Sequence, residues 1–102
     1  MSWCVVLRPE VEENINEAVA WYARQQAGLG TEFREEVIRV FDALAVNPLL
    51  YCRRHPSKNI RWRYLDRFPY RVIYEVQETE QIVVVAAVLH AARQDRHWRR
   101  VV

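Results

Sequence analysis

The chain has 102 residues, which suits one domain spanning residues 1–102, and 51% of them are apolar, so a hydrophobic core can form without disulfide bonds. The longest apolar run, residues 82–89, is far shorter than the roughly 20 residues of a membrane-spanning helix, which predicts a cytoplasmic protein with no membrane partner. The net charge is only +2, but residues 10–47 carry eight acids and three bases (−5) and residues 53–71 carry one acid and seven bases (+6), which predicts one acidic and one basic face.

The first half of the chain predicts a short strand followed by two helices. Residues 3–7 are rich in β-branched side chains, which favour a strand. Pro9 suits the first turn of a helix, and Gly28 suits the left-handed residue that ends one. A second helix is expected to begin with Thr31 as its cap and to end before Pro48. Since about four residues separate the two helices, they should pack antiparallel as a hairpin.

The second half of the chain changes to the alternating pattern of strands. Residues 60–65 and 70–76 are predicted as two strands, with a turn between them. Residues 82–89 are apolar on both faces, so this strand is expected to lie inside the sheet, beside the N-terminal strand, with Val84 buried. The expected fold is therefore α+β, with the order β-α-α-β-β-β. The helical hairpin should cover one face of a four-stranded, mainly antiparallel sheet of strand order 2-3-4-1.

Basic side chains on the predicted sheet form the main candidate binding surface. Alternation places Arg61 and Arg63 on one side of their strand and Trp62 on the other. We predict that the helices cover Trp62, so that Arg61 and Arg63 share the uncovered face with Arg71 of the next strand. Such a face suits a polyanion or an acidic protein. The alternative is a solvated face whose charges only keep the protein soluble.

Several local patterns recur in a fixed order along the chain. They are Trp21-Tyr22, Gly28-Leu29-Gly30 before Phe33, Arg67-Phe68-Pro69-Tyr70-Arg71-Val72-Ile73-Tyr74, and Val88-Leu89-His90-Ala91-Ala92-Arg93-Gln94-Asp95 with Trp98. Together with the order of elements, they resemble the RelE/ParE toxins of bacterial type II toxin–antitoxin (plasmid stabilisation) systems, and the likeness covers nearly the whole chain. The resemblance implies a growth-inhibiting toxin that is neutralised by a cognate antitoxin encoded by a neighbouring gene. It leaves open a homodimer or a toxin–antitoxin heterotetramer.

The family divides between two activities. ParE-like members inhibit DNA gyrase, whereas RelE-like members cleave mRNA, often on the ribosome. For metal-independent RNA cleavage, Arg71 is expected to offset the charge on the phosphate, with Arg63 and Arg93 nearby, and His90 to act as base or acid.

The C-terminal residues favour the first activity. RelE-like nucleases usually carry lysines on the second strand and a tyrosine near the C-terminus, whereas this sequence has arginines on the strand and His97-Trp98 at its end. We therefore expect a ParE-like toxin that binds its target, with gyrase the leading candidate. The alternatives are a RelE-like mRNA interferase and an inactive remnant that only binds an antitoxin.

The residues expected to bind a partner or nucleic acid are Arg61, Arg63, Arg67, Arg71, Arg93, His97 and Trp98. No cofactor or metal is expected. Cys52 and His55 have a spacing found in metal sites, but no second pair completes such a site.

Overall fold

The computed structural model describes residues 2–92 and contains two helices and four strands. In chain order they are β1 (Cys4–Leu7), α1 (Pro9–Gln25), α2 (Leu29–Val46), β2 (Ile60–Tyr64), β3 (Tyr70–Gln77) and β4 (Ile82–His90). The predicted β-α-α-β-β-β order is confirmed. Neither helix of the described part combines the length and the apolarity that a membrane crossing requires.

The four strands form one mixed sheet in the order β1-β4-β3-β2, which is the predicted order counted from the opposite edge. β4 runs antiparallel to β3 and parallel to β1, and β2 runs antiparallel to β3. The β3–β4 register shifts between Ile73, which faces Ala87, and Tyr74, which faces Val85, so that Ala86 is an extra residue in β4. This bulge keeps Val85 and Val88 in the core beneath the helices.

The helical hairpin is tighter than the sequence predicted. Gly28 adopts the left-handed conformation with a φ of 86°, and α2 begins at the next residue. The predicted cap at Thr31 is therefore wrong, because the chain turns at Gly28 and Thr31 already lies in the first helical turn. A Cβ atom on Gly30 would stand 2.6 Å from the carbonyl oxygen of Val19, so the two helices need glycine at this contact.

The main core lies between the helical hairpin and one face of the sheet. Its fully buried members include Val11 of α1, Phe33 of α2 and Tyr74 of β3. The other face of the sheet, called the open face here, carries a smaller apolar cluster. This cluster consists of Ile60, Ile73, Ala87 and Leu89, with Trp62 packed against it. Val84 also lies on the open face, opposite Glu75, and is only partly buried, contrary to the prediction.

The predicted orientation of β2 is wrong. Arg61 pairs with Tyr74, and Arg63 pairs with Val72. Directly paired residues of neighbouring strands project to the same face, and both Tyr74 and Val72 belong to the core under the helices. Arg61 and Arg63 therefore lie on the helical side of the sheet and not on the open face.

The open face instead receives the side chain that was expected under the helices. Trp62 pairs with Ile73, and Arg71 pairs with Tyr64 and with Leu89. The physical reason is that Ile73 and Leu89 form a second apolar row that also needs cover. Trp62 supplies this cover, and the sheet consequently separates Arg71 from Arg61 and Arg63.

Candidate functional site

Arg61 fixes the connection between α2 and β2. Its Nη1 donates hydrogen bonds to the carbonyl oxygens of Leu49 and Tyr51, and its Nε donates to Asn59 Oδ1 at 2.9 Å. The connection also runs back along β2, where the Arg54 N–H donates to the Ile60 carbonyl at 2.7 Å. Arg61 therefore binds neutral oxygens, and its positive charge remains at this edge of the sheet.

Aromatic rings hold the other arginines of this region. The Arg63 guanidinium lies 5.6 Å from the centre of the Tyr51 ring, on the helical side. On the open face, the guanidinium groups of Arg54 and Arg71 lie 5.1 Å and 4.9 Å from the Trp62 ring. Stacking of this kind fixes a guanidinium in place and leaves its charge intact. The β2 edge of the molecule therefore carries a set of ordered cations.

The turn between β2 and β3 is anchored by a buried carboxylate that the sequence analysis did not single out. Oε1 of Glu36 accepts the backbone N–H groups of Asp66 and Arg67. The Arg67 side chain returns to α2, where its Nη2 lies 3.0 Å from Oε1 of Glu32. A signal was present in the sequence, because Glu36 interrupts the apolar stripe of α2 between Phe33 and Val37.

A groove of about 700 Å³ opens between α1 and the ends of β3 and β4. Trp21, Tyr22, Tyr70 and His90 line it, and the rings of Tyr70 and His90 are 5.2 Å apart. Burial raises the pKa of the Tyr22 phenol, and the nearby Tyr70 adds to this rise. The groove is mainly aromatic, which suits an apolar or planar group.

His90 also has a structural role at the end of β4. Its Nδ1 accepts the N–H of Ala92 at 3.0 Å, so a neutral ring carries its proton on Nε2. Nearby, Asn14 of α1 accepts the N–H of Val88 at 3.1 Å, which joins the helix to this strand.

The structure separates the residues predicted for RNA cleavage. His90 pairs with Tyr70, which packs against the core beneath the helices. Arg71 stacks on Trp62 on the open face, and Arg63 stacks on Tyr51. The expected proximity of His90 to Arg71 is therefore wrong, because the alternation of β3 sends Tyr70 and Arg71 to opposite faces. Arg93, His97 and Trp98 lie outside the described residues.

Within residues 2–92, no three histidine, cysteine or acidic side chains form a group that could hold a metal ion. Cys4 and Cys52 are both exposed free thiols. The Nδ1 atom of His55 accepts the N–H groups of Ser57 and Lys58 at 3.1 Å and 3.0 Å. His55 thus folds its own loop and presents no free Nδ1 beside Cys52.

Comparison with known proteins identifies one family. The family described as the ParE toxin of the type II toxin–antitoxin system parDE matches residues 5–95. No curated protein matches the sequence.

Solved structures of toxins share the fold. A chain from the chromosomal ParDE system of P. aeruginosa superimposes with a TM-score of 0.70 at 11% identity, covering 87% of this chain and 96% of that one. The isolated E. coli RelE toxin gives a TM-score of 0.66 at 17% identity, covering 98% of this chain and 96% of that one. A chain of the E. coli RelBE toxin–antitoxin complex gives 0.68 at 16% identity, covering 90% and 100%.

Proposed function

The chain belongs to the ParE family of toxins from type II toxin–antitoxin systems, within the wider RelE/ParE group, and we propose that it acts in the cytoplasm by binding and inhibiting an essential target. DNA gyrase is the leading candidate for this target. A cognate antitoxin neutralises the toxin by occupying part of its surface.

The division of Arg71 and His90 between two faces of the sheet supports binding over RNA cleavage. A general base must lie within hydrogen-bond reach of the proton it takes, and the cation that stabilises the phosphate must touch the same reacting group. Arg71 lies on the open face, whereas His90 pairs with Tyr70 on the helical side. With the sheet between them, the two side chains are poorly placed to serve one phosphate.

Parallel assays of DNA supercoiling and RNA cleavage test this proposal. We expect the purified chain to inhibit supercoiling by gyrase and to leave translated mRNA intact. The Arg71→Ala variant should keep the inhibition, since Arg71 has no catalytic role in this proposal. Cleavage of mRNA by the wild type that Arg71→Ala abolishes, together with undisturbed gyrase, would establish the RelE-like alternative instead.

The outer edge of β1 is the best candidate surface for the antitoxin. β1 pairs with β4, and within the described part of the chain no strand lies on its other side. Val6 and Leu7 are 44% and 43% exposed, and β1 contains neither lysine nor proline to deter a further strand. An extended peptide segment can therefore add to the sheet at this edge.

A groove next to β1 gives this surface a pocket for side chains. It has a volume of about 410 Å³, and its lining includes Leu7, Ile38 and Phe41. A segment that pairs with β1 through its backbone could place an apolar side chain in this groove. In the proposal, the antitoxin binds in this way, as an extended segment that becomes ordered on the toxin.

A further inference from the structure

Three large apolar side chains are exposed where α2 ends. Val46 is 74% exposed, Leu50 is 69% exposed and Leu49 is 39% exposed. Single exposed apolar residues are common on protein surfaces, but a cluster of them often marks a binding surface. None of the three lines either of the grooves described above. They form a separate surface feature that the proposed antitoxin site does not use.

The backbone that carries these side chains is held in place. The Leu49 N–H donates to Asn47 Oδ1 at 3.1 Å, and the Leu49 carbonyl accepts from Arg61 at 2.9 Å. Pro48 is buried, and its carbonyl accepts the hydroxyl of Tyr74 at 3.3 Å. The exposure of Leu49 and Leu50 is thus a property of an ordered backbone. A preformed surface of this kind loses little conformational entropy when it binds a partner.

The charge around these side chains has one sign. Residues 47–65 contain five basic residues and no acidic residue. Arg53 and Arg54 follow the apolar side chains directly, and both are exposed. A second copy of the chain is a poor partner, since a symmetric contact would bring two basic surfaces together. The complementary partner carries apolar side chains with carboxylates around them.

We propose that Val46, Leu49, Leu50, Arg53 and Arg54, the 46–54 surface, dock a folded protein with an acidic surface, and that this protein is the target of the toxin. The inference rests on the proposed function and adds to it the part of the molecule that recognises the target. The choice of target over antitoxin follows from the form of the two surfaces. An ordered loop suits a partner that is already folded, whereas the open edge of β1 suits an extended segment.

Two pairs of variants test this assignment. Leu50→Asp and Arg53→Glu change the 46–54 surface, and Leu50→Ser removes the apolar side chain without adding charge. Ile38→Asp changes the β1 groove, and Arg39→Glu reverses an exposed charge on α2 as a matched control. Each variant is induced in cells to measure growth inhibition. Each purified variant is also titrated with the product of the short reading frame beside the gene, which is the candidate antitoxin.

We expect Leu50→Asp and Arg53→Glu to inhibit growth at least about tenfold less than the wild type, which corresponds to about 1.4 kcal/mol of binding. Leu50→Ser should give a smaller loss, and Arg39→Glu should inhibit growth fully. Both 46–54 variants should bind the antitoxin as the wild type does, whereas Ile38→Asp should bind it at least about tenfold less tightly and remain toxic. Thermal melts exclude unfolding as the cause.

Three outcomes would overturn the assignment, and they differ from one another. Full toxicity of Leu50→Asp and Arg53→Glu would exclude the 46–54 surface and leave the proposed function standing. Loss of antitoxin affinity in these variants, with toxicity retained, would assign the surface to the antitoxin. A wild-type chain that does not inhibit growth would end the proposed function itself, and the docking surface with it.

Discussion

Individual arginines contribute to folding and to surface charge at the same time. Arg61 donates to the carbonyl oxygens of Leu49 and Tyr51, and Arg63 stacks on the Tyr51 ring. A carboxylate partner would cancel most of the field of each cation, but a carbonyl or a ring does not. Because a guanidinium keeps its proton at any physiological pH, these contacts leave a permanent positive charge at the surface.

The buried Tyr74 predicts how stability changes in alkaline solution. Burial raises its pKa from 10.0 to about 12, Arg61 and Arg63 lower it, and Tyr51 raises it. Below pH 10 the phenol is protonated in both the folded and the unfolded chain. Between pH 10 and pH 12 the unfolded chain releases this proton and the folded chain keeps it, so the free energy of unfolding falls as the pH rises.

Replacing Tyr74 by Phe should therefore make the alkaline loss of stability smaller. Urea midpoints measured from about pH 9 to about pH 11.5 should decline less steeply for Tyr74→Phe than for the wild type. The exposed Tyr64 gives the matched control, and Tyr64→Phe should follow the wild-type curve. Parallel curves for the wild type and Tyr74→Phe would show that Tyr74 does not titrate as its burial requires.

Among the elements, β4 joins the two apolar clusters of the protein. Val83, Val85 and Val88 face the main core, whereas Ala87 and Leu89 face the smaller cluster on the open face. The bulge at Ala86 allows this, since it adds one residue between the two halves of the strand. The two faces of β4 should therefore differ in their tolerance of charge.

A carboxylate on each face of β4 measures this difference. Val85 is fully buried in the main core, so Val85→Asp places a charge where neither water nor a cation can reach it, and we expect the domain to unfold. Val84 is partly buried on the open face, so Val84→Asp should leave a cooperative urea transition at a lower midpoint. Equal midpoints for the two variants would contradict the separation of the faces.

The position of β4 could be predicted from the sequence, whereas the orientation of β2 could not. A strand that is apolar on both faces needs neighbours on both sides, and this placed residues 82–89 between β1 and β3. In β2 both rows combine bulky and polar character, and the larger hydrophobicity of Trp62 suggested burial under the helices. The deciding fact is long-range, since the open face holds the fully buried Ile73, which Trp62 covers.

The candidate site was predictable only in part for the same reason. The sequence identified the basic segment but placed its arginines on the wrong face of the sheet. The anchoring carboxylate of Glu36 and the exposed Val46 and Leu50 were missed, because their roles depend on contacts between distant segments.

At the scale of the whole molecule, the two proposed surfaces lie close together. The Trp3 N–H donates to the Ala45 carbonyl at 2.7 Å, which joins the start of the β1 region to the end of α2, beside Val46. An antitoxin segment that pairs with β1 and continues past Cys4 therefore approaches the 46–54 surface. Neutralisation then follows from overlap at this boundary, although the main contacts of antitoxin and target differ.

The two surfaces should respond differently to salt. Raising the ionic strength from about 0.1 M to about 1 M shortens the Debye length from about 10 Å to about 3 Å, which screens exposed charges such as those of Arg53 and Arg54. Apolar contact and backbone pairing at β1 involve little charge and should weaken far less. We expect the affinity for purified gyrase to fall steeply across this range, and the affinity for the antitoxin to change little. Calorimetric titrations at both salt concentrations measure the two affinities, and Arg53→Glu should flatten the gyrase curve. If both affinities fell in parallel, the antitoxin would depend on the basic surface as much as the target does, and the separation between apolar and charged recognition would be lost.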